Sequence, residues 1–161
     1  MGMLSFAGQT NAAGDLQEKI DLTDFIIKQM HHLCDKSNYG DAIDKLNSHE
    51  RVFFAAQLLE QEVNNGGFDQ YFSNSSGNLA NEIVAAFREI GAPKTAAICE
   101  KALSVFHGSV PTDWDVRQDL LEELDCGDVW DECDDAFYEY EENLDALHYQ
   151  YVLAHRDSFD L

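Results

Sequence analysis

The chain has 161 residues, 45% of them hydrophobic, and sets 31 Asp and Glu against ten Lys and Arg, a formal net charge of −21. That length suits one domain able to bury about two thirds of its unfolded surface, so folding needs neither a disulfide nor a metal. The charge disfavours direct binding to nucleic acid or to an anionic membrane, both of which call for Lys and Arg, and it far exceeds the magnitude of about 2 to 8 usual for a small soluble domain.

Residues 1–14, small and polar with three glycines, read as a flexible tail, and residues 15–161 as a single helical domain. Leu16, Ile20, Ile27, Met30 and Leu33 recur at helical spacing. Tyr39–Asn47 reads as a short helix. Ser48 is the expected N-cap of a strong helix carrying Phe53, Ala56, Leu59 and Val63, and with Arg51 three residues on no capping box is expected. Gly66 and Gly67 should end that helix, leaving Phe68–Phe72 as a short aromatic turn or helix. Leu79–Ile90 predicts another helix, stopped by Gly91, and Pro93 opens the next, which runs to about Phe106. Thr112 is the expected N-cap of a helix with Val116, Leu120 and Leu124 on its apolar stripe. After a break at Cys126-Gly127, a last long helix from about Asp131 to His155 carries an apolar seam, Phe137, Tyr140, Leu144, Leu147 and Tyr151, stepping by three and four. No run alternates with period two. The expectation is an all-α, single-domain bundle of about six to eight helices.

The charge is concentrated. Residues 113–145 hold fifteen acids and one base, Arg117, so these 33 residues carry −14 and the rest of the chain −7. Asp115, Asp119 and Glu122 fall on one helical stripe, and Asp128, Asp131, Asp135, Glu139 and Glu142 on a second. If the whole segment were helical it would span about 50 Å at 1.5 Å per residue, one net charge per roughly 3.5 Å, close to the one phosphate per 3.4 Å of a DNA strand. Apolar residues interleaved with the acids predict an ordered charged face, not a disordered acidic tail. Three readings fit the charge: a solvated face, a protein-binding surface, and cation binding or halophily. The candidate partner-binding residues are Asp113, Asp115, Asp119, Glu122, Glu123, Asp125, Asp128, Asp131, Glu132, Asp135, Glu139 and Glu142.

A second feature is the run from Glu62 to Gly77, E-x-x-N-G-G-F-x-Q-Y-F-x-N-x-x-G, followed by Ile90-Gly91-Ala92. On its own it reads as a helix end plugged by Phe68, Tyr71 and Phe72, or as a pocket built by Asn65, Gln70 and Tyr71; no following Lys supports a phosphate loop. The pattern resembles the bacterial DNA-mimic protein family, also known as a domain of unknown function, over about residues 48–110. The resemblance implies an all-helical, often dimeric fold without catalytic residues, whose carboxylates occupy the DNA-binding face of a helix-turn-helix regulator. Glu62, Asn65, Gly66, Gly67, Phe68, Gln70, Tyr71 and Phe72 carry over as scaffold positions, and mimicry by the acidic segment rests on charge.

Other constellations are weaker. Cys34, Cys99, Cys126 and Cys133 form no CxxC and read as reduced thiols. His31, His32 and Cys34 fall short of a zinc set. His148 and His155 lie near a helix C-terminus, where the dipole favours the charged imidazole. No run reaches the roughly 20 apolar residues of a membrane span, and the start lacks the marks of a signal peptide. The expectation is therefore a cytoplasmic acidic protein-binding module without cofactor, metal or catalysis, a possible homodimer through the Phe137–Tyr151 seam or the Asn-Gly-Gly region, with a basic DNA-binding protein as partner. The alternatives are an immunity or antitoxin-like inhibitor of a basic toxin or nuclease, and a metal- or thiol-dependent enzyme using Cys126, Cys133 or His31.

Overall fold

The computed structural model of the protein describes residues 12–124 and 126–159, with side chains from residue 21 onward, and every regular element among them is helical. Seven α-helices follow in order: α1 (Ala12–Lys36), α2 (Ser48–Ser73), α3 (Ile83–Glu89), α4 (Pro93–Leu103), α5 (Trp114–Glu123), α6 (Gly127–Tyr138) and α7 (Leu144–Ala154). Most of the expected tail, residues 1–11, lies outside the described residues, as does Asp125.

α2 is the axis of the bundle. Phe53, Phe54, Ala55 and Ala56 are four consecutive buried residues, so this helix is covered on every side, as a central helix must be. It touches α1, α3, α5, α6 and α7. Its start lies one residue earlier than expected. Asn47, not Ser48, is the N-cap, its side chain accepting from the His49 and Glu50 amides, and the Glu50 carboxylate accepts from the Asn47 amide at 2.9 Å. The capping box missing from the Ser48 reading is thus present, and Lys36 donates to the buried Glu50 at 2.6 Å.

The far end of α2 also differs. Gly66 and Gly67 kink the helix without ending it, Gly67 at φ +75°, and the chain resumes helical geometry to Ser73. Phe68 and Phe72 therefore stay on a helix, and Phe72 stacks on Trp130 of α6 at 5.0 Å and meets Phe106 edge-on at 4.9 Å. The Trp130 indole N–H donates to Ala102 O at 3.0 Å, fixing α6 on α4.

Three further expectations are corrected. Residues 39–47 hold only a 3₁₀ turn, Ile43–Lys45, because Asn38, Tyr39 and Gly40 all have positive φ. Leu79 closes a 3₁₀ turn, Ser75–Leu79, residues 80–82 form a further turn, and the helix expected over Leu79–Ile90 starts only at Ile83. The single long final helix is two: α6 stops at Tyr138, Tyr140 takes φ +45°, and α7 starts four residues later.

Candidate protein-binding face

α5 and α6 carry the acidic segment, and each is clamped to α2. Asp113, not Thr112, caps α5 by accepting from the Val116 amide at 3.0 Å. The helix then docks on the C-terminal end of α2. Arg117 is fully buried: its guanidinium donates to Phe72 O (2.8 Å), Asn74 O (3.0 Å), Pro111 O (2.6 Å) and Asn78 Oδ1 (2.9 Å). Trp114 Nε1 and Gln118 Nε2 both donate to Ser73 O. The Phe72 and Ser73 carbonyls at the end of α2 are thereby satisfied, Asn74 O is shared with the Gly77 amide, and a cation sits where the helix dipole is negative. Gly77 leaves the room, since a Cβ there would stand 2.9 Å from Arg117 Nε. The stripe expected from Val116, Leu120 and Leu124 is corrected by this geometry: Arg117 points inward and Val116 is 54% exposed.

α6 is fixed by the other glycines. Asp134 Oδ1 accepts the Phe68 amide at 2.8 Å, capping the second half of α2 just past the kink, and a Cβ at position 67 would run into that carboxylate. Within α2, Glu62 Oε2 accepts from Gln70 (2.6 Å) and Asn74 (3.0 Å), holding the two sides of the kink together. Among the run from Glu62 to Gly77, the kink glycines, the Glu62 staple and the ring plug of Phe68, Tyr71 and Phe72 all build scaffold. That scaffold ends in sockets for α5 and α6. Asn65 is exposed, and its side chain makes no hydrogen bond among the described residues.

The twelve candidate residues divide. Asp115, Asp119, Glu122 and Glu123 on α5, and Asp128, Asp131, Asp135 and Glu139 on α6 or its C-cap, are exposed and make no hydrogen bond or ion pair among the described residues. Asp113 is exposed while capping its helix. Glu132 is engaged by Lys101 at 2.5 Å, whose hydrogen bond and charge hold its carboxyl below the ordinary value. Glu142 leaves the acidic stripe: it accepts from the Lys94 and Thr95 amides (3.0 and 2.9 Å) and from the Thr95 hydroxyl (2.8 Å). It supplies the N-cap of α4 that Ala92 lacks. Glu141 likewise pairs with Lys94.

Burial decides the state of several titratable groups, of which Glu60 carries no signal in the sequence. Burial raises the Glu60 carboxyl to about 7, although Tyr140 Oη and Gln57 Nε2 donate to it at 2.9 and 3.1 Å. His148, expected to favour its charged form, is instead fully buried beside Phe53. Burial lowers it to about 4, with Nδ1 2.8 Å from Leu144 O and Nε2 without a partner. His155 stacks on His49 at 4.0 Å. All four cysteines are free thiols, and burial raises Cys34, Cys99 and Cys133, the last to about 11, opposing the thiolate a nucleophile would need. No group of three His, Cys, Asp or Glu among the described residues could hold a metal ion, and no helix there is long and apolar enough to cross a membrane.

The apolar seam is used within the chain. Phe137, Leu144 and Tyr151 are buried in the core, and Tyr151 Oη donates to Glu89 at 2.7 Å. Those three seam residues are therefore used in the chain's own core, while Tyr140 of the same seam is 41% exposed.

No curated protein and no solved structure shows significant similarity to the chain. The profile of the DMP19-like proteins matches residues 44–155, a span that takes in α2 to α7, the glycine kink and both acidic helices. The chain belongs to the DMP19-like family, the DNA-mimic family that the run from Glu62 to Gly77 resembles.

Proposed function

We propose that α5 and α6 present an anionic ridge that occupies the DNA-binding face of a basic regulator, a helix-turn-helix protein being the partner type, and so keeps DNA off it. Family membership supports this reading. The observation that carries it is the set of eight exposed carboxylates without a partner among the described residues, mounted on two helices clamped to the core. Their density is right for the role. From Asp113 to Glu123 the rise is about 15 Å, with five acids; from Asp128 to Glu139 it is about 17 Å, with four unpaired acids. That is one charge per about 3 to 4 Å, against one phosphate per 3.4 Å on a DNA strand. The match holds on each short rod, not along one 50 Å rod.

A fixed ridge differs from a merely solvated one in being pre-organised, so less ordering cost opposes binding. The test is affinity chromatography of a native lysate on the immobilised protein beside the variant Asp115→Asn/Asp119→Asn/Asp131→Asn/Asp135→Asn. The expected result is retention of a basic DNA-binding protein that elutes in moderate salt and passes through the variant column. Equal retention by both columns would overturn the proposal. The Asn-Gly-Gly side of α2, where Asn64 and Asn65 are exposed, is the surface we propose for any homodimer.

A further inference from the structure

The acidic segment displays more than charge. Among the described residues seven large apolar or aromatic side chains are exposed, and four of them, Trp114, Val116, Tyr138 and Tyr140, lie within residues 113–145. A face selected for solubility alone would shed such groups, and phosphate imitation does not require them. The rings are also held in place. Trp114, 54% exposed, has its N–H tied to Ser73 O at 3.1 Å; Tyr138, 47% exposed, has its hydroxyl tied to Val63 O at 2.8 Å. Carboxylates neighbour each ring along the chain: Asp113 and Asp115 flank Trp114, and Asp134 and Asp135 precede Tyr138 by four and three residues on α6, the spacing of side chains that meet on a helix surface. No cation competes from the α5 surface, because Arg117 is turned inward and consumed by four oxygens.

A fixed aromatic face beside a carboxylate is the arrangement that prefers a guanidinium to an ammonium. The flat, weakly hydrated guanidinium stacks on the ring while its N–H groups reach the acid; the compact, strongly hydrated ammonium does the first poorly. Rigid aromatic anchors ringed by polar groups are also where interface energy concentrates. We infer that the acidic face reads arginine in preference to lysine, with Trp114 and Tyr138 as stacking platforms and the adjacent aspartates as acceptors, so that its partner presents an arginine-rich surface. This rests on the proposed function and narrows the partner within it.

The test uses fluorescently labelled octa-arginine and octa-lysine, equal in charge, with anisotropy as the readout and acrylamide quenching as a second one. Trp130 is buried, so a change in quenching reports Trp114. Octa-arginine should bind more tightly, by about two- to fivefold for each ring engaged, and should shield Trp114. Trp114→Leu, which removes the ring, should cut that preference while octa-lysine binding stays level; Trp114→Phe, which keeps a ring and loses the Ser73 bond, should retain most of it. If Trp114→Leu does not fold, Tyr138→Leu reads the same effect on α6. Equal affinity for the two peptides, or an unchanged preference in the Leu variants, overturns the inference and leaves the charged ridge standing. Failure of both peptides to bind at low salt removes the ridge and the inference together.

Discussion

Arg117 shows how a residue's chemistry can be opposite to its appearance in the sequence. It is the one base among fifteen acids from residue 113 to 145, counted in the sequence only as an offset to their charge. Instead its guanidinium is the peg that seats α5 in the end of α2. Arg117→Leu would strand the Phe72 and Pro111 carbonyls and leave Asn74 O to the Gly77 amide alone, and we expect a loss of about 3–5 kcal/mol of stability in urea unfolding, with Arg117→Lys failing to restore it because an ammonium cannot span the fork. Two further buried groups set the pH response in opposite directions. Glu60 is raised to about 7, so the folded state binds its proton more tightly; its contribution is complete below about 4.5 and is lost as pH rises to about 7. His148 is lowered to about 4, so its contribution is complete above about 6.5 and is lost as pH falls to about 4. Urea unfolding of the wild type and Glu60→Gln from pH 4 to 8 isolates the first: the difference should turn toward the variant by about 3 kcal/mol at most between pH 4.5 and 7. A flat difference would mean that the Glu60 carboxylate is solvated.

At the scale of elements, local signals were legible and distant ones were not. The fold class, the helix stop at Gly91 and the start at Pro93 all follow from caps and periods that a few neighbouring residues set, whereas the break expected at Cys126-Gly127 ends one residue sooner, with Gly127 opening α6. The failures share one cause. The steps of three and four from Phe137 to Tyr151 stay in phase across a five-residue interruption, so the period hides the turn that Tyr140 makes at positive φ. Gly66-Gly67 looked like a helix end because the group that lets α2 resume, Asp134, lies 66 residues from the Phe68 amide it caps. Of the candidate site, the eight free carboxylates were legible as exposed charge. That Glu142 serves the start of α4 was not, since its partners Lys94 and Thr95 are nearly fifty residues away. Glu142→Ala should therefore cost about 1 kcal/mol of stability through the lost cap, seen as a lower urea midpoint. It should leave partner binding intact, whereas Asp131→Asn should do the reverse.

For the whole molecule, the family run and the acidic segment are one construction. The kink opens a socket for Asp134 and hence α6, the end of α2 and Gly77 open one for Arg117 and hence α5, and the carboxylates on the outer sides of both helices inherit that rigidity. A net charge of −21 opposes compactness, so retaining the exposed acids without counter-charges is a cost that partner binding would offset. The most direct measurement is equilibrium competition. A captured basic regulator is bound to labelled duplex DNA carrying its site, and the protein is titrated in at several salt concentrations. The account predicts that the protein releases the DNA, that release weakens steeply as salt rises, and that the Asp115→Asn/Asp119→Asn/Asp131→Asn/Asp135→Asn variant releases little. A ternary complex with the DNA still bound, or release by the variant equal to the wild type, would contradict it.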